Sequence, residues 1–447
     1  MRNPVEKDAC HGIPTAAGRK GGTHMKRWLG MVLALVLTFG LIGTHSADGK
    51  EEMRKTKVTT GLEVLLENPK PLKGKRVGFI TNPTGMTAQY EHALDAMLAK
   101  GIQVTHVYGP EHGVRGTEQA GEIPGSFEDP RTGLPFVNLY GKQPHEMVSL
   151  FEEVDVLVFD IQDVGTRFYT YIYTMAYAME AAALADKPFI VLDRPNPIGG
   201  VKVEGPVLDP EYRSFVGLFP IPQRHGMTVG ELARLFNETF LPEKGAPSAD
   251  LQVIRMKGWK RNHLYEDTGL PWVLPSPNMP TLETALVYPG TGMIEGTNLS
   301  EGRGTTRPFE LLGAPYIRGW ELAEALNRKK LPGVSFREAY FNPTFSKHQG
   351  KNVGGVQVYV ENPNRFDPIL TGMTIIQETK RLYPDEFEWR QDADSTYWID
   401  KLTGSDRIRT EIDRGTPARE IMGMWEEELR QFKKLRGRYL MYPPRRR

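Results

Sequence analysis

"VDVLVFDIQD", residues 154–163, decides the class of fold. Val156 to Phe159 show no apolar/polar alternation, so both faces of the segment need apolar cover, as in a strand inside a parallel sheet. Immediately beyond it come Asp160, Gln162 and Asp163, so polar groups gather where the apolar run stops. The same rhythm extends outward in both directions. Upstream, "KRVGFITN" and "QVTHVYG" read as strands around a helical "EHALDAMLAKG" closed by Gly101. Downstream, "YTMAYAMEAAALAD" reads as a helix, "PFIVLD" as a strand, "TVGELARLFNETF" as a helix and "LQVIRM" as a strand. Thr228 with Glu231 three residues on is a capping-box pattern for the start of that second helix. Strands alternating with helices imply an α/β fold, a Rossmann-like parallel sheet with right-handed crossovers.

The regular alternation ends at "GLPWVLPSPNMPT", where Pro271, Pro275, Pro277 and Pro280 interrupt secondary structure. A Rossmann-like catalytic domain is therefore expected over residues 51–274, and a smaller α+β C-terminal domain over 275–447. The latter opens with a glycine-rich loop and continues with a helix at "RGWELAEALNRKK" and strands at "VSFREAYF" and "GGVQVYVEN". Further helices are expected around "MTIIQETKRLY" and "REIMGMWEEELRQFKKL".

With 447 residues, 39% hydrophobic and 25% charged, the chain has ample apolar mass for a folded soluble protein. Residues 1–24 read as an extension upstream of a start at Met25. Residues 25–47 then have the layout of a secretory signal peptide: Lys26 and Arg27, an apolar run from Trp28 to Ile42, then small polar residues. The run is shorter than the roughly 20 residues of a membrane span, so no stable span is expected after cleavage and the protein is placed in a periplasm or secreted. Cys10, the single cysteine, lies in the extension, which leaves the mature chain without disulfide, thiolate or cysteine–metal chemistry. Residues 1–47 carry six Lys/Arg and two Asp/Glu, so their removal takes the formal charge from +1 to −3. Nothing in that balance points to nucleic acid.

Ligands of an open parallel sheet bind beyond the carboxyl ends of its strands. Four successive strand ends here are polar: Asn82, then Glu111, His112 and Arg115 after Tyr108, then Asp160, Gln162, Asp163 and Arg167 with Tyr171, and finally Asp193, Arg194 and Asn196. A second concentration lies in residues 275–317, where Glu295, Asn298, Glu301 and Arg303 sit among Gly290, Gly292, Gly296, Gly302 and Gly304. No G-x-G-x-x-G, P-loop, G-x-S-x-G or H-E-x-x-H pattern accompanies them, so no cofactor and no metal is expected. His112, Asp160, Asp163 and His225 leave a metal-dependent hydrolase open as an alternative, although no pair has a diagnostic spacing. What remains is carboxylate chemistry with Tyr, Arg and Asn as binding groups, as in glycoside hydrolysis.

"TNPTG", "YGPEHGVRG", "FDIQDVGTRFYTYIYTM", "LDRPNPIGG", "PIPQRHGMTVGELA" and "PSPNMPTLETALVYPGTGMIEGTNLSEGRGTTRPFELLGAPYI", in this order, resemble the exo-β-N-acetylmuramidases of the NamZ (YbbC-like) family. The resemblance runs from about residue 57 to the C-terminus. It implies a Rossmann-like domain joined to a smaller one, with the active site in the cleft between them. It also implies release of N-acetylmuramic acid (MurNAc) from the non-reducing end of peptidoglycan fragments, so that a muropeptide or a MurNAc–N-acetylglucosamine (GlcNAc) disaccharide is the expected partner. Glu111 corresponds to the glutamate of the family's "GPEHG" motif and is the expected catalytic acid, its pKa raised by shielding from Tyr108 and Tyr171. Glu301, Glu295, Asp160 or Asp163 is expected as the second group, unless the sugar's own 2-acetamido group assists. The lactyl carboxylate of MurNAc calls for a cation, with Arg303 or Arg167 expected ahead of Arg115. His112 is expected to orient its neighbours. The competing reading is a non-catalytic muropeptide-binding protein using the same cleft.

Overall fold

Val156, Leu157, Val158 and Phe159 have no exposed surface, and their alternate side chains enter two different cores. Val156 and Val158 pack with Val77, Phe79, Leu62 and Met97, whereas Leu157 and Phe159 pack with Ile172, Met175 and Leu232. That two-sided burial is what the unbroken apolar run requires. The computed structural model describes residues 58–119, 121–122 and 125–442, all within one compact unit, Arg54–Arg447. The expected extension and signal peptide lie outside the described residues.

The strands of the first half are β1 (Val77–Thr81), β2 (Val104–Gly109), β3 (Phe127–Glu128), β4 (Pro135–Asn138), β5 (Val156–Asp160), β6 (Phe189–Leu192), β7 (Glu204–Val207), β8 (Pro222–Arg224) and β9 (Leu251–Ile254). Seven form one sheet in the order β3-β4-β2-β1-β5-β6-β9. Every pairing is parallel except β3 with β4. β7 and β8 form a separate ribbon. Helices Gly61–Glu67 and Ala93–Ala99 supply side chains to the core on one face, and Tyr171–Leu184 and Val229–Leu235 to that on the other. From β1 the chain winds outward through β2 and β4, then returns to β5 and winds the other way, so the switch point lies at Thr81 and Asp160. Thr228 and Glu231 form the expected capping box. β3, β4, β7 and β8 escaped the sequence pattern because they are short and three of them contain proline.

The second half is α+β: β10 (Leu311–Ala314), β11 (Val334–Phe341) and β12 (Val353–Val360) form an antiparallel sheet in the order β10-β12-β11. The expected glycine loop begins instead as a helix, Leu282–Thr291, capped by Thr281 and continued by a 3-10 turn, Gly292–Gly296. Its glycines serve packing here, not loop flexibility. A Cβ on Gly290 would lie 1.8 Å from Pro368 O, and one on Gly372 2.4 Å from Gly290 O, so only glycine lets this helix meet Pro368–Leu382 so closely.

The chain end returns to the first half: Met441 N donates to Glu231 Oε1 (2.8 Å), and Tyr442 Oη donates to Asp193 Oδ2 (2.5 Å). Burial pushes the Asp193 carboxyl up to about 7 from 3.8. The folded state therefore holds this proton more tightly than the unfolded chain, and the stability it contributes is complete below the unfolded pKa and lost as pH rises through 7. Asp193→Asn, which keeps a neutral group, should flatten the decline of the melting temperature between about pH 4 and 8. Parallel curves for parent and variant would remove the assignment.

Candidate active site

β2 ends at Gly109, and Pro110 offers no N–H with which to extend it. His112 (φ 68°) and Gly113 (φ 75°) then turn left-handed, which reverses the chain directly after Glu111. The reversal places Glu111 on a cavity of about 580 Å³. The helix start at Thr170 and Tyr171 lies beside it, and the second half of the chain contributes Glu295, Glu301 and Arg303.

The carboxylates of this cavity are held in different ways. Glu111 is held by uncharged donors: Gly121 N reaches Oε1 at 3.0 Å and Thr170 Oγ1 reaches Oε2 at 2.6 Å. Burial, and next the adjacent Glu111 carboxylate, push the Tyr140 phenol well above its ordinary pKa. Glu301 is held by cations, Lys347 Nζ at 3.1 Å and Arg303 Nε at 3.3 Å. Burial alone would raise its carboxyl, but Lys347 and Arg303 outweigh that and keep it below the usual glutamate value. Arg303 also bonds Glu295 Oε1 at 2.8 Å and lies over the Phe309 ring at 5.0 Å. Burial would loosen its proton, yet Glu295 and Glu301 bind it more firmly than usual. Two carboxylates in contrasting surroundings are what acid–base division of labour needs.

Six of the residues expected from the sequence line the cavity: Glu111, His112, Tyr171, Glu295, Glu301 and Arg303. His112 Nδ1 bonds Glu118 O at 2.6 Å and its ring meets Tyr171 edge-on, so it steadies the loop around Glu111.

The other nine are not among its lining residues and meet other parts of the chain. Asp160, expected among the catalytic groups, does not line the cavity and forms a buried fork with Arg194, 2.5 Å to Nε and 2.8 Å to Nη2. Asp163 pairs with His225 (3.2 Å), and Gln162 donates to Asp163 O and Pro195 O. Asn82 accepts from Thr84 N and Oγ1, and Asn196 donates to Met227 O. These five plug the switch-point crevice from within. Arg167, expected as a carboxylate anchor, is buried away from the cavity and donates to the carbonyls of Pro206, Ile221 and Leu402. Arg115 pairs with Asp129 and stacks on Phe136. Tyr108 donates to Leu150 O from the core, so it does not shield Glu111. Asn298 bonds Glu386 O and Tyr316 Oη.

Thr170, which the motif "FDIQDVGTRFYTYIYTM" contains without singling it out, also lines the cavity, as do Lys347, Arg390 and Trp398, which no motif marks. Arg390 lies over the Trp398 ring at 4.6 Å, and its ion-pair partner Asp392 is 3.9 Å away. Among the described residues, no group of three or more His, Cys, Asp or Glu side chains is arranged to hold a metal ion. No helix among them is long and apolar enough to cross a membrane.

Two family models match the chain: exo-beta-N-acetylmuramidase NamZ, N-terminal, over residues 77–283, and its C-terminal counterpart over 286–442. The chain belongs to the NamZ family. The peptidoglycan beta-N-acetylmuramidase NamZ of Bacillus subtilis is 52% identical over 423 residues, covering 94% of this chain and all of that protein. Crystal structures of two DUF1343 family proteins from Bacteroides fragilis share the NamZ-like fold seen here. One has a TM-score of 0.78 at 39% identity, covering 87% of this chain and 100% of its own. The other has a TM-score of 0.67 at 32% identity, covering 87% and 99%.

Proposed function

We propose that this NamZ-family chain is an exo-β-N-acetylmuramidase, hydrolysing the bond that holds MurNAc at the non-reducing end of peptidoglycan fragments. The observation that carries the reading is the pair Glu111 and Glu301 on one cavity, the first held by neutral donors and the second by cations. Thr170 Oγ1 can donate to an ionised Glu111 or accept from a protonated one, so the site suits proton transfer to a departing glycosidic oxygen. Glu301, kept an anion by Lys347 and Arg303, is the form required of a base or nucleophile facing an oxocarbenium-like transition state. A carboxyl separation near 5 Å in a substrate complex assigns a protein nucleophile, and one of roughly 6.5–9.5 Å assigns a water. The test is incubation of the purified protein with MurNAc–GlcNAc. Release of free MurNAc is expected, and tight binding without release would favour the non-catalytic reading.

Arg390 is our choice for the lactyl carboxylate. Arg303 already serves two carboxylates, and Lys347 one carboxylate and three carbonyls, whereas Arg390 meets Asp392 only at 3.9 Å. Arg390→Ala should lower kcat/KM for an N-acetylmuramide about 10- to 100-fold, the worth of one charge-assisted bond. The matching N-acetylglucosaminide should change far less, and an equal fall in both would show that the guanidinium does not read the lactyl group. Lys26, Arg27 and the apolar run that follows them support an exported, periplasmic or secreted enzyme, where such fragments arise.

A further inference from the structure

A second cavity, of about 620 Å³, adjoins the first. Tyr140, Tyr173, Tyr177 and Leu218 give it an apolar and aromatic wall, and Lys142 and Arg213 lie among its lining residues. It shares Gly121, Thr170 and Phe215 with the first cavity. Gly121 and Thr170 are also the two residues that hold the Glu111 carboxylate, and Tyr140 lies against that carboxylate. The proton that Glu111 can deliver is therefore available at the boundary between the two spaces.

We infer that the second cavity is the binding site for the leaving saccharide, the GlcNAc-type sugar on the reducing side of the cleaved bond. This inference rests on the muramidase reading of the first cavity. A glycosidic oxygen lies between two sugars, so a donor at the junction of two cavities assigns one sugar to each. MurNAc occupies the space containing Glu301 and Arg303, and its partner occupies the tyrosine-lined space. The chemistry of the wall agrees. A pyranose offers apolar C–H faces to aromatic rings while its hydroxyl and acetamido groups need polar partners, and the cavity combines four aromatic side chains with Lys142, Arg213 and Ser214. Phe215, 56% exposed and 5.8 Å from the Trp398 ring, carries the aromatic surface across the junction.

The test compares two substrates that differ only in what leaves. MurNAc–GlcNAc fills both cavities, whereas N-acetylmuramyl fluoride, with a single-atom leaving group, fills the first alone. Tyr177→Ala should lower the ratio of kcat/KM for the disaccharide over that for the fluoride about tenfold, and Tyr177→Phe, which keeps the ring, should preserve it. If the parent cleaves both substrates and the ratio is unmoved in Tyr177→Ala, or both activities fall together, the assignment of the second cavity is overturned while the muramidase reading stands. If the parent releases MurNAc from neither substrate, the muramidase reading falls and this inference with it.

Discussion

Glu111→Gln is expected to lower kcat on MurNAc–GlcNAc by about 10²- to 10⁴-fold while muropeptide binding persists, the range general-acid catalysis supplies. Glutamine has nearly the shape of glutamate. Its amide oxygen can still accept from Gly121 N, and its amide nitrogen can donate to Thr170 Oγ1, so the loop should stay in place. What the amide cannot do is hand a proton to a departing sugar oxygen. The loss should shrink with a substrate whose leaving group needs little protonation, such as the muramyl fluoride. Equal losses on both substrates would mean that Glu111 only shapes the cavity. Binding is checked by calorimetry on the variant, because a collapsed loop would weaken affinity together with turnover.

The sheet was legible in the sequence because its determinant is local. An apolar run without alternation demands cover on both faces, and β5 receives it. The site was legible only in part, because a polar residue at a strand end has two outlets, a ligand or another part of the chain. Asp160 finds Arg194, Asp163 finds His225, and Arg167 finds a carbonyl 235 positions away at Leu402. None of these choices is written near the residue that makes it. Arg390 and Lys347 were missed for the converse reason. They sit in segments with no motif and reach the cavity only because both halves of the chain contribute to its lining. Of the glycines of residues 290–304, Gly302 and Gly304 do lie in the expected loop, both at positive φ, whereas those of the helix and its 3-10 extension misled in a third way. Gly290 permits a close helix crossing, which composition does not distinguish from a loop.

Asp160→Ala should separate a plugged crevice from a catalytic site most sharply. The Arg194 guanidinium is buried, donating Nε and Nη2 to Asp160 and a further bond to Met86 O at 3.2 Å. Without Asp160 its charge keeps only that carbonyl, and breaking one side of a buried ion pair costs about 3–5 kcal/mol. The expected result is a large drop in the urea midpoint, with kcat per folded molecule close to the parent's. Replacing both partners, as in Asp160→Leu with Arg194→Met, should recover much of the lost stability, because no buried charge is then left alone. A variant of undiminished stability whose kcat is lost would return Asp160 to the reacting groups. The physical basis for expecting otherwise is that a carboxylate held in a two-point fork with no exposed surface is out of a sugar's reach, whatever lone pairs it still carries.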